Sequence, residues 1–331
     1  MKRILITRPM PKSVISAAHK FFDVEVRQKQ SPMSAAEMRA SLALYDAVIP
    51  TLGDLYAART FKDFSNPRCK ILANFGVGYN HIDIAAAQAA GICVSNTPGA
   101  VTAATADIAL MLILMSCRRA GEGERMVRAS HWEGWNPTQM LGQHVTGKTV
   151  GIIGMGRIGE AVARRARGFG LSVHYHNRKP VHPETEAELE ATYWESLEQM
   201  LARVDIVSVN CPHTSATNHL LSRERLSLMQ RSAYLVNTSR GEVVDEVALA
   251  DLLAQRHIAG AGLDVYSSEP EIPARLRDLP NVVLLPHIGS ATIEGRLQMG
   301  DKVIINVQTF WDGHSPHRNA GRPRHIALAG F

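Results

Sequence analysis

Two parallel sheets, each covered by helices, are what this sequence predicts, and three observations carry that expectation. Short apolar runs alternate with longer amphipathic stretches, once before residue 100 and again after Gly147. Parallel strands need crossover connections, so this alternation places helices on both faces of a sheet. A chain of 331 residues holds about two domains at roughly 150 residues each. Within the second series, Gly154-Met155-Gly156-Arg157-Ile158-Gly159 stands between an expected strand and an expected helix.

Strands are expected at 4–7, 24–27, 47–50, 71–74 and 92–95, with helices at 13–22, 35–44 and 82–90 between them. Pro98-Gly99-Ala100 gives a turn signal at a domain boundary. One long helix is expected from 103 to about 130, followed by an irregular stretch holding Trp132, Trp135 and Pro137. The second series of strands is expected at 149–153, 172–176, 206–209, 234–237, 260–264 and 282–284. A last helix is expected at 291–310, after the second sheet is complete.

Composition excludes several classes. Apolar residues make up 45% and charged residues 20%, as in a globular chain rather than a disordered one. The formal charge, 36 − 31 = +5, is too small and too dispersed to argue for nucleic acid. The densest basic stretch, 314–325 in the tail 314–331, reads as solvated. Cys69, Cys93, Cys117 and Cys211 form no CxxC pair, so neither a metal site nor a disulfide framework is expected, and reduced thiols in the cytoplasm are the default. The longest apolar run, 108–117, is too short to span a bilayer, and the first residues read as a strand entering a turn rather than a signal peptide.

The glycine-rich turn has the strand before it and the helix after it that dinucleotide binding requires. Gly154 allows the tight turn, Gly156 lets backbone approach a pyrophosphate, and Gly159 lets helix and strand pack closely. Met155, Arg157 and Ile158 lie within the same turn, where free N–H groups and the helix dipole favour an anion. An NAD site carries Asp or Glu about 20 residues further on. This chain instead has Asn177-Arg178-Lys179, and two cations there suit the 2′-phosphate of NADP(H), with NADH a weaker alternative.

Three ionisable residues follow successive strands: Arg240 in Asn237-Thr238-Ser239-Arg240-Gly241, Glu269 before Pro270, and His287 in Pro286-His287-Ile288-Gly289-Ser290. Open parallel sheets bind ligands beyond the carboxyl ends of their strands, so all three can converge there. Their chemistry suits reduction of a 2-keto acid. Arg240 binds carboxylate and carbonyl oxygens through its planar fork. His287 serves as general acid, or as base in the oxidative direction. Glu269 bonds the other ring nitrogen and favours the charged imidazole.

These motifs, with Gly262-Leu263-Asp264-Val265, resemble the D-isomer-specific 2-hydroxyacid dehydrogenase family over essentially the whole chain, and within it the bacterial glyoxylate/hydroxypyruvate reductases. The resemblance implies Rossmann-like or flavodoxin-like parallel-sheet domains with the active site in the interdomain cleft. It implies a discontinuous substrate domain (1–100 and 291–331) and a dinucleotide domain (101–290) that includes a dimerisation arm, 103–145, and hence a homodimer. It makes Arg240, Glu269 and His287 the catalytic triad. It assigns Leu52 to an apolar pocket wall and the N–H groups of Val77 and Gly78 to the substrate carboxylate, beside Arg240 and His287. It further implies cofactor contacts at Thr105, Pro212, Thr238, Ser239, Asp264, Ile288, Gly289 and Ser290. Through the arm, Trp132 and Trp135 reach the partner subunit or serve a local core.

Departures narrow the family reading. The sequence ends soon after its last expected helix, whereas phosphoglycerate dehydrogenases often add a regulatory domain. Formate dehydrogenases have Gln where this chain has Glu269. The expected function is therefore NADPH-preferring reduction of glyoxylate and hydroxypyruvate, with no metal, nucleic acid or membrane partner. The alternatives are a broader D-2-hydroxyacid dehydrogenase acting on lactate-like or aromatic keto acids, and a dinucleotide-sensing binding protein.

Overall fold

In the computed structural model, which describes residues 1–314, the first sheet contains β1 (Arg3–Ile6), β2 (Asp23–Val26), β3 (Ala47–Ile49), β4 (Ile71–Ala73) and β5 (Cys93–Ser95). All pair in parallel, in the order β2-β1-β3-β4-β5. The central strands are buried on both faces, which is why their sequences read as continuous apolar runs. Ile4, Ile6, Ile49 and Ile71 enter the core on one side, and Leu5, Val48 and Leu72 enter the core on the other. Edge strand β2 is half exposed.

The last helix, Ile293–Trp311, returns to this sheet. Thr292 Oγ1 caps it by accepting the Gly295 N–H at 2.9 Å. Gly300 permits the approach, since a Cβ there would lie 2.3 Å from Val14 Cγ2 on the helix Lys12–His19. The chain thus forms two compact units, Met1–Val101 with the described residues from Thr292 onward, and Thr102–Ala291. Of the basic stretch expected at 314–325 in the tail 314–331, all but His314 lies outside the described residues.

The second unit holds β6 (Thr149–Ile153), β7 (Ser172–His176), β8 (Ala191–Tyr193), β9 (Ile206–Val209), β10 (Tyr234–Asn237), β11 (Gly260–Leu263) and β12 (Val282–Leu284). Their order is β12-β11-β10-β9-β6-β7-β8, all parallel. The order reverses between β6 and β9, and ligands of open α/β sheets bind at such a switch point beyond the strand ends. Helix Thr102–Cys117 is apolar on nearly every side because it lies between helix Arg157–Gly168 and strands β10 and β11. No helix among the described residues is long and apolar enough to cross a membrane.

Two expectations are corrected. The single helix from 103 to about 130 is two helices, Thr102–Cys117 and Ala120–Arg128, broken at Arg119 with φ 54°. The break has a physical cause, because the Cys117 carbonyl accepts the Gln143 N–H at 2.8 Å and so cannot extend the helix. Gly142 lies so close that a Cβ there would sit 2.5 Å from that oxygen. Strand β8 had no sequence signal. It is a three-residue edge strand, held where Trp194 N–H meets the Tyr175 carbonyl and Tyr193 packs on the Tyr175 ring.

Candidate active site

The turn after β6 has the properties its glycines predict. Gly154 has φ 97°, and a Cβ there would lie 2.6 Å from the Cys211 backbone nitrogen. At Gly159 a Cβ would lie 2.2 Å from the Gly154 carbonyl oxygen, so helix Arg157–Gly168 packs on β6 only without a side chain. At Gly156 an added Cβ would meet nothing, and no side chain caps the helix, so its first N–H groups remain available to an anion. Arg157 is exposed there and Ile158 packs against the core.

Two residues expected to touch the cofactor bind one another. Met155 buries its side chain and donates its N–H to Asn177 Oδ1 at 2.8 Å. Tyr193 Oη also donates to the Asn177 carbonyl at 3.2 Å, which fixes the loop that displays Arg178 and Lys179 to solvent. Pro212, after β9, is exposed. Thr238, after β10, is buried with an Oγ1 that has no partner, and the buried Asn210 Oδ1 after β9 is likewise unpartnered. Open N–H groups at Gly156 and an orphaned hydroxyl at Thr238 fit a bound nicotinamide dinucleotide.

Three successive strand ends assemble the ionisable groups. After β10, the Asn237 carboxamide donates to the Arg240 carbonyl at 2.9 Å and accepts from Ser239 N–H at 3.0 Å, which sets the turn. The next residue must be glycine, because a Cβ on Gly241 would lie 2.0 Å from the Tyr266 carbonyl carbon. The loop bearing Arg240 is therefore pressed against the loop bearing Glu269. Burial lowers the Arg240 guanidinium from its usual value, while the Glu269 and Glu242 charges oppose that.

After β11, the 266–269 loop is tied down by Glu246, which accepts Ser267 N–H and Oγ–H, each at 2.7 Å. Tyr266 N–H donates to Glu269 Oε1 at 3.0 Å. The other carboxylate oxygen faces His287 Nδ1 at 2.7 Å. Burial pushes the Glu269 carboxyl upward, but the His287 bond and charge, the Tyr266 N–H and Arg240 together hold it below the ordinary range. An ionised carboxylate only accepts, so His287 Nδ1 carries the proton and Nε2 is left free.

His287, after β12, has φ 54°, a left-handed backbone that non-glycine residues seldom adopt. Asp264 holds it there. Its two oxygens accept the Ile288 and Gly289 N–H groups, each at 2.7 Å. Burial raises the Asp264 carboxyl, and these two N–H groups partly offset that. Thr105 Oγ1 donates to the Gly289 carbonyl at 3.0 Å, and Gly289 keeps this junction small. Ser290 follows, half-buried. Among the described residues no group of three His, Cys, Asp or Glu could hold a metal.

In the other unit, the loop after β3 is anchored by the buried Asp54, which accepts Thr7 Oγ1–H at 2.6 Å and Thr51 N–H at 3.0 Å. Arg8 Nη1 donates to the Leu52 carbonyl at 2.8 Å, and the Leu52 side chain is exposed. Val77 and Gly78, in the turn after β4, are half-buried. Sequence reasoning named neither Asp54 nor Glu246. Asp54 is a lone acid in an otherwise apolar or small-residue stretch, and Glu246 follows the N-cap Asp245 in the first turn of a helix, so neither role is recognisable until the partner loop is known.

The model of the family described as D-isomer specific 2-hydroxyacid dehydrogenase, NAD binding domain, matches residues 110–289. The chain is 42% identical over 318 residues to the glyoxylate reductase of Thermococcus onnurineus, covering 95% of this chain and 94% of that one. It is 37% identical to the glycerate dehydrogenase of Hyphomicrobium methylovorum, over 94% of this chain and 97% of that one. Among solved structures, it resembles the NADPH-dependent glyoxylate/hydroxypyruvate reductase of Sinorhizobium meliloti in complex with NADP and malonate. The TM-score is 0.83 at 33% identity, covering 97% of this chain and 99% of that one. With matches of this extent laid over an interlocked Arg–Glu–His site and an open glycine turn, the chain belongs to the D-isomer specific 2-hydroxyacid dehydrogenase family and is an oxidoreductase that uses a nicotinamide dinucleotide.

Proposed function

We propose that the chain reduces glyoxylate and hydroxypyruvate to the corresponding 2-hydroxy acids, with NADPH preferred over NADH. The observation that carries this reading is the 2.7 Å pairing of His287 Nδ1 with Glu269, in a loop interlocked with that of Arg240. The names of the relatives, glyoxylate reductase and glycerate dehydrogenase, support the substrate class.

The turn at Gly154, Gly156 and Gly159 holds the diphosphate on the N–H groups that no side chain caps. Thr238, with its unpartnered hydroxyl, meets the cofactor further along. Asp264 and Thr105 act at the 287–289 turn, which they hold by hydrogen bonds. The bound cofactor supplies the hydride that the keto carbon accepts. Arg240 receives the substrate's carboxylate and carbonyl oxygens and stabilises charge that develops on the latter. His287 Nε2–H gives its proton to that oxygen, forming the hydroxyl, and the neutral ring left behind keeps its Nδ1–H on Glu269. In the oxidative direction the same Nε2 takes the proton. Val77 and Gly78 supply N–H donors to the carboxylate, and Leu52 an apolar surface.

Arg178 and Lys179, exposed after β7 where an NAD site carries an acid, support selection of the 2′-phosphate. The arm 103–145 supports pairing of two copies. Helix Ala120–Arg128 buries none of its residues within one chain, and Trp132, Trp135 and Leu141 are exposed.

NADPH oxidation followed with glyoxylate tests this reading. His287→Gln is expected to lower kcat by about 10²–10⁴-fold with little change in the KM for NADPH. Arg240→Ala is expected to damage both kcat and the KM for glyoxylate. Near-normal turnover by His287→Gln would remove the acid assignment.

Cofactor choice has its own test in steady-state rates with the two nicotinamides at equal concentration. Wild type is expected to favour NADPH. Arg178→Ala is expected to raise the KM for NADPH about tenfold, the size of one charge-assisted contact, and to leave that for NADH unchanged. A wild type that favours NADH overturns the preference.

Glu269 also predicts a pH dependence. Its folded value is lowered, so its contribution to stability is present above the unfolded value and is lost as pH falls through the folded one. In urea unfolding, wild type is expected to exceed Glu269→Gln at pH 5–6. The difference should vanish well below the ordinary glutamate value of about 4.3. An equal difference at pH 3 would contradict the pairing.

A further inference from the structure

Beyond the triad, the turn after β4 has its carbonyl oxygens held by side chains of its own unit. In Asn74-Phe75-Gly76-Val77-Gly78, three successive carbonyl oxygens are occupied by two side-chain amides. Asn74 Nδ2 donates to the Gly76 oxygen at 3.0 Å and to the Gly78 oxygen at 2.9 Å. Asn96 Nδ2 donates to the Val77 oxygen at 2.7 Å. The Thr97 N–H adds a bond to the Gly76 oxygen at 3.1 Å.

A trans peptide is planar, so fixing a carbonyl oxygen fixes the next residue's N–H in the opposite direction. Holding the Gly76 oxygen therefore aims the Val77 N–H, and holding the Val77 oxygen aims the Gly78 N–H. Among the described residues neither of those N–H groups has an acceptor in the protein.

The braces are themselves held. Asn74 Oδ1 lies 3.0 Å from His81 Nε2, and the asparagine nitrogen faces carbonyls, so the imidazole is the donor in that contact. The Asn96 carbonyl accepts from Asn306 Nδ2 at 3.0 Å, on the last helix. Asn74, Asn96 and Asn306 are all buried, as is His81. Gly76 leaves room for the arrangement, since a Cβ there would stand 3.3 Å from Asn74 Nδ2. A turn that only needed to change direction would not require two buried carboxamides, one held through its own oxygen by His81 and the other placed by the Asn306 bond to its backbone carbonyl.

We propose that Asn74 and Asn96 are positioning residues of the substrate site, which turn the Val77 and Gly78 N–H groups outward to receive the keto acid's carboxylate. This rests on the 2-keto acid reading above and deepens it. Neither asparagine touches the substrate. Each acts through a carbonyl that it holds back, so the anion is bound by the dipoles of the 76–77 and 77–78 peptides rather than by a second cation.

The test compares Asn96→Ala, Asn96→Asp and Asn74→Asp with wild type, each first shown to be folded by circular dichroism and thermal melting. Asn96→Asp keeps the size of the side chain and loses the donor. The KM for glyoxylate and the inhibition constant of oxamate are expected to rise about tenfold, the scale of one lost buried hydrogen bond. The KM for NADPH is expected to stay within about twofold, because the nicotinamide dinucleotide turn belongs to other residues. If Asn74→Asp does not fold, the two Asn96 variants carry the test. Folded Asn96 variants with unchanged glyoxylate KM and oxamate inhibition would overturn the positioning role. So would equal rises in both KM values, which mark general loosening. A wild type that binds NADPH but reduces no 2-keto acid would instead overturn the functional reading, and this inference with it.

Discussion

The left-handed backbone of His287, and the carboxylate of Asp264 that holds it, are the constraint on which the rest of the site depends. A non-glycine residue in that region costs about 1–2 kcal/mol relative to ordinary backbone. Asp264 offsets the cost by accepting two consecutive N–H groups just beyond the histidine. Thr105 closes the same turn through the Gly289 carbonyl. With the backbone fixed, the ring presents Nδ1 to Glu269 and leaves Nε2 free. Asp264, Thr105 and Gly289, proposed as cofactor contacts, thus also form the frame that holds the His287 backbone.

The same device recurs in both units. Loops that carry the proposed chemistry hold no regular structure, so their backbone groups need other partners. Buried polar side chains provide them: Asn237 for the Arg240 turn, Glu246 for the Glu269 loop, Asp54 for the loop of Leu52, and Asn74 with Asn96 for the turn at Val77 and Gly78. Glycines complete the arrangement where two loops touch, as Gly241 does against Tyr266. The placement of the proposed catalytic side chains thus rests on buried polar groups beside them.

Much of the fold was legible because parallel strands buried on both faces leave continuous apolar runs. Strands β6, β7, β9, β10 and β12 begin and end at the residues the pattern indicated. The glycine turn and the order of Arg240, Glu269 and His287 were legible because each follows a strand. Three things were not. Strand β8, Ala191-Thr192-Tyr193, lacks the apolar run that marks β12, Val282-Val283-Leu284, which is just as short and lies at the opposite edge. The break at Arg119 depends on Gln143 reaching back to Cys117, a contact between segments far apart in sequence. The bracing acids and amides were hidden for the same reason. Glu246 looks like an ordinary first-turn acid of a helix until the Ser267 loop is beside it.

A crystal structure of the chain with NADP+ and oxamate tests the central claim most directly. The account predicts the oxamate carbonyl oxygen at about 3 Å from His287 Nε2 and from the Arg240 guanidinium, with Nδ1 still on Glu269. An oxamate bound away from both groups, or an imidazole turned so that Nε2 meets Glu269, would contradict it.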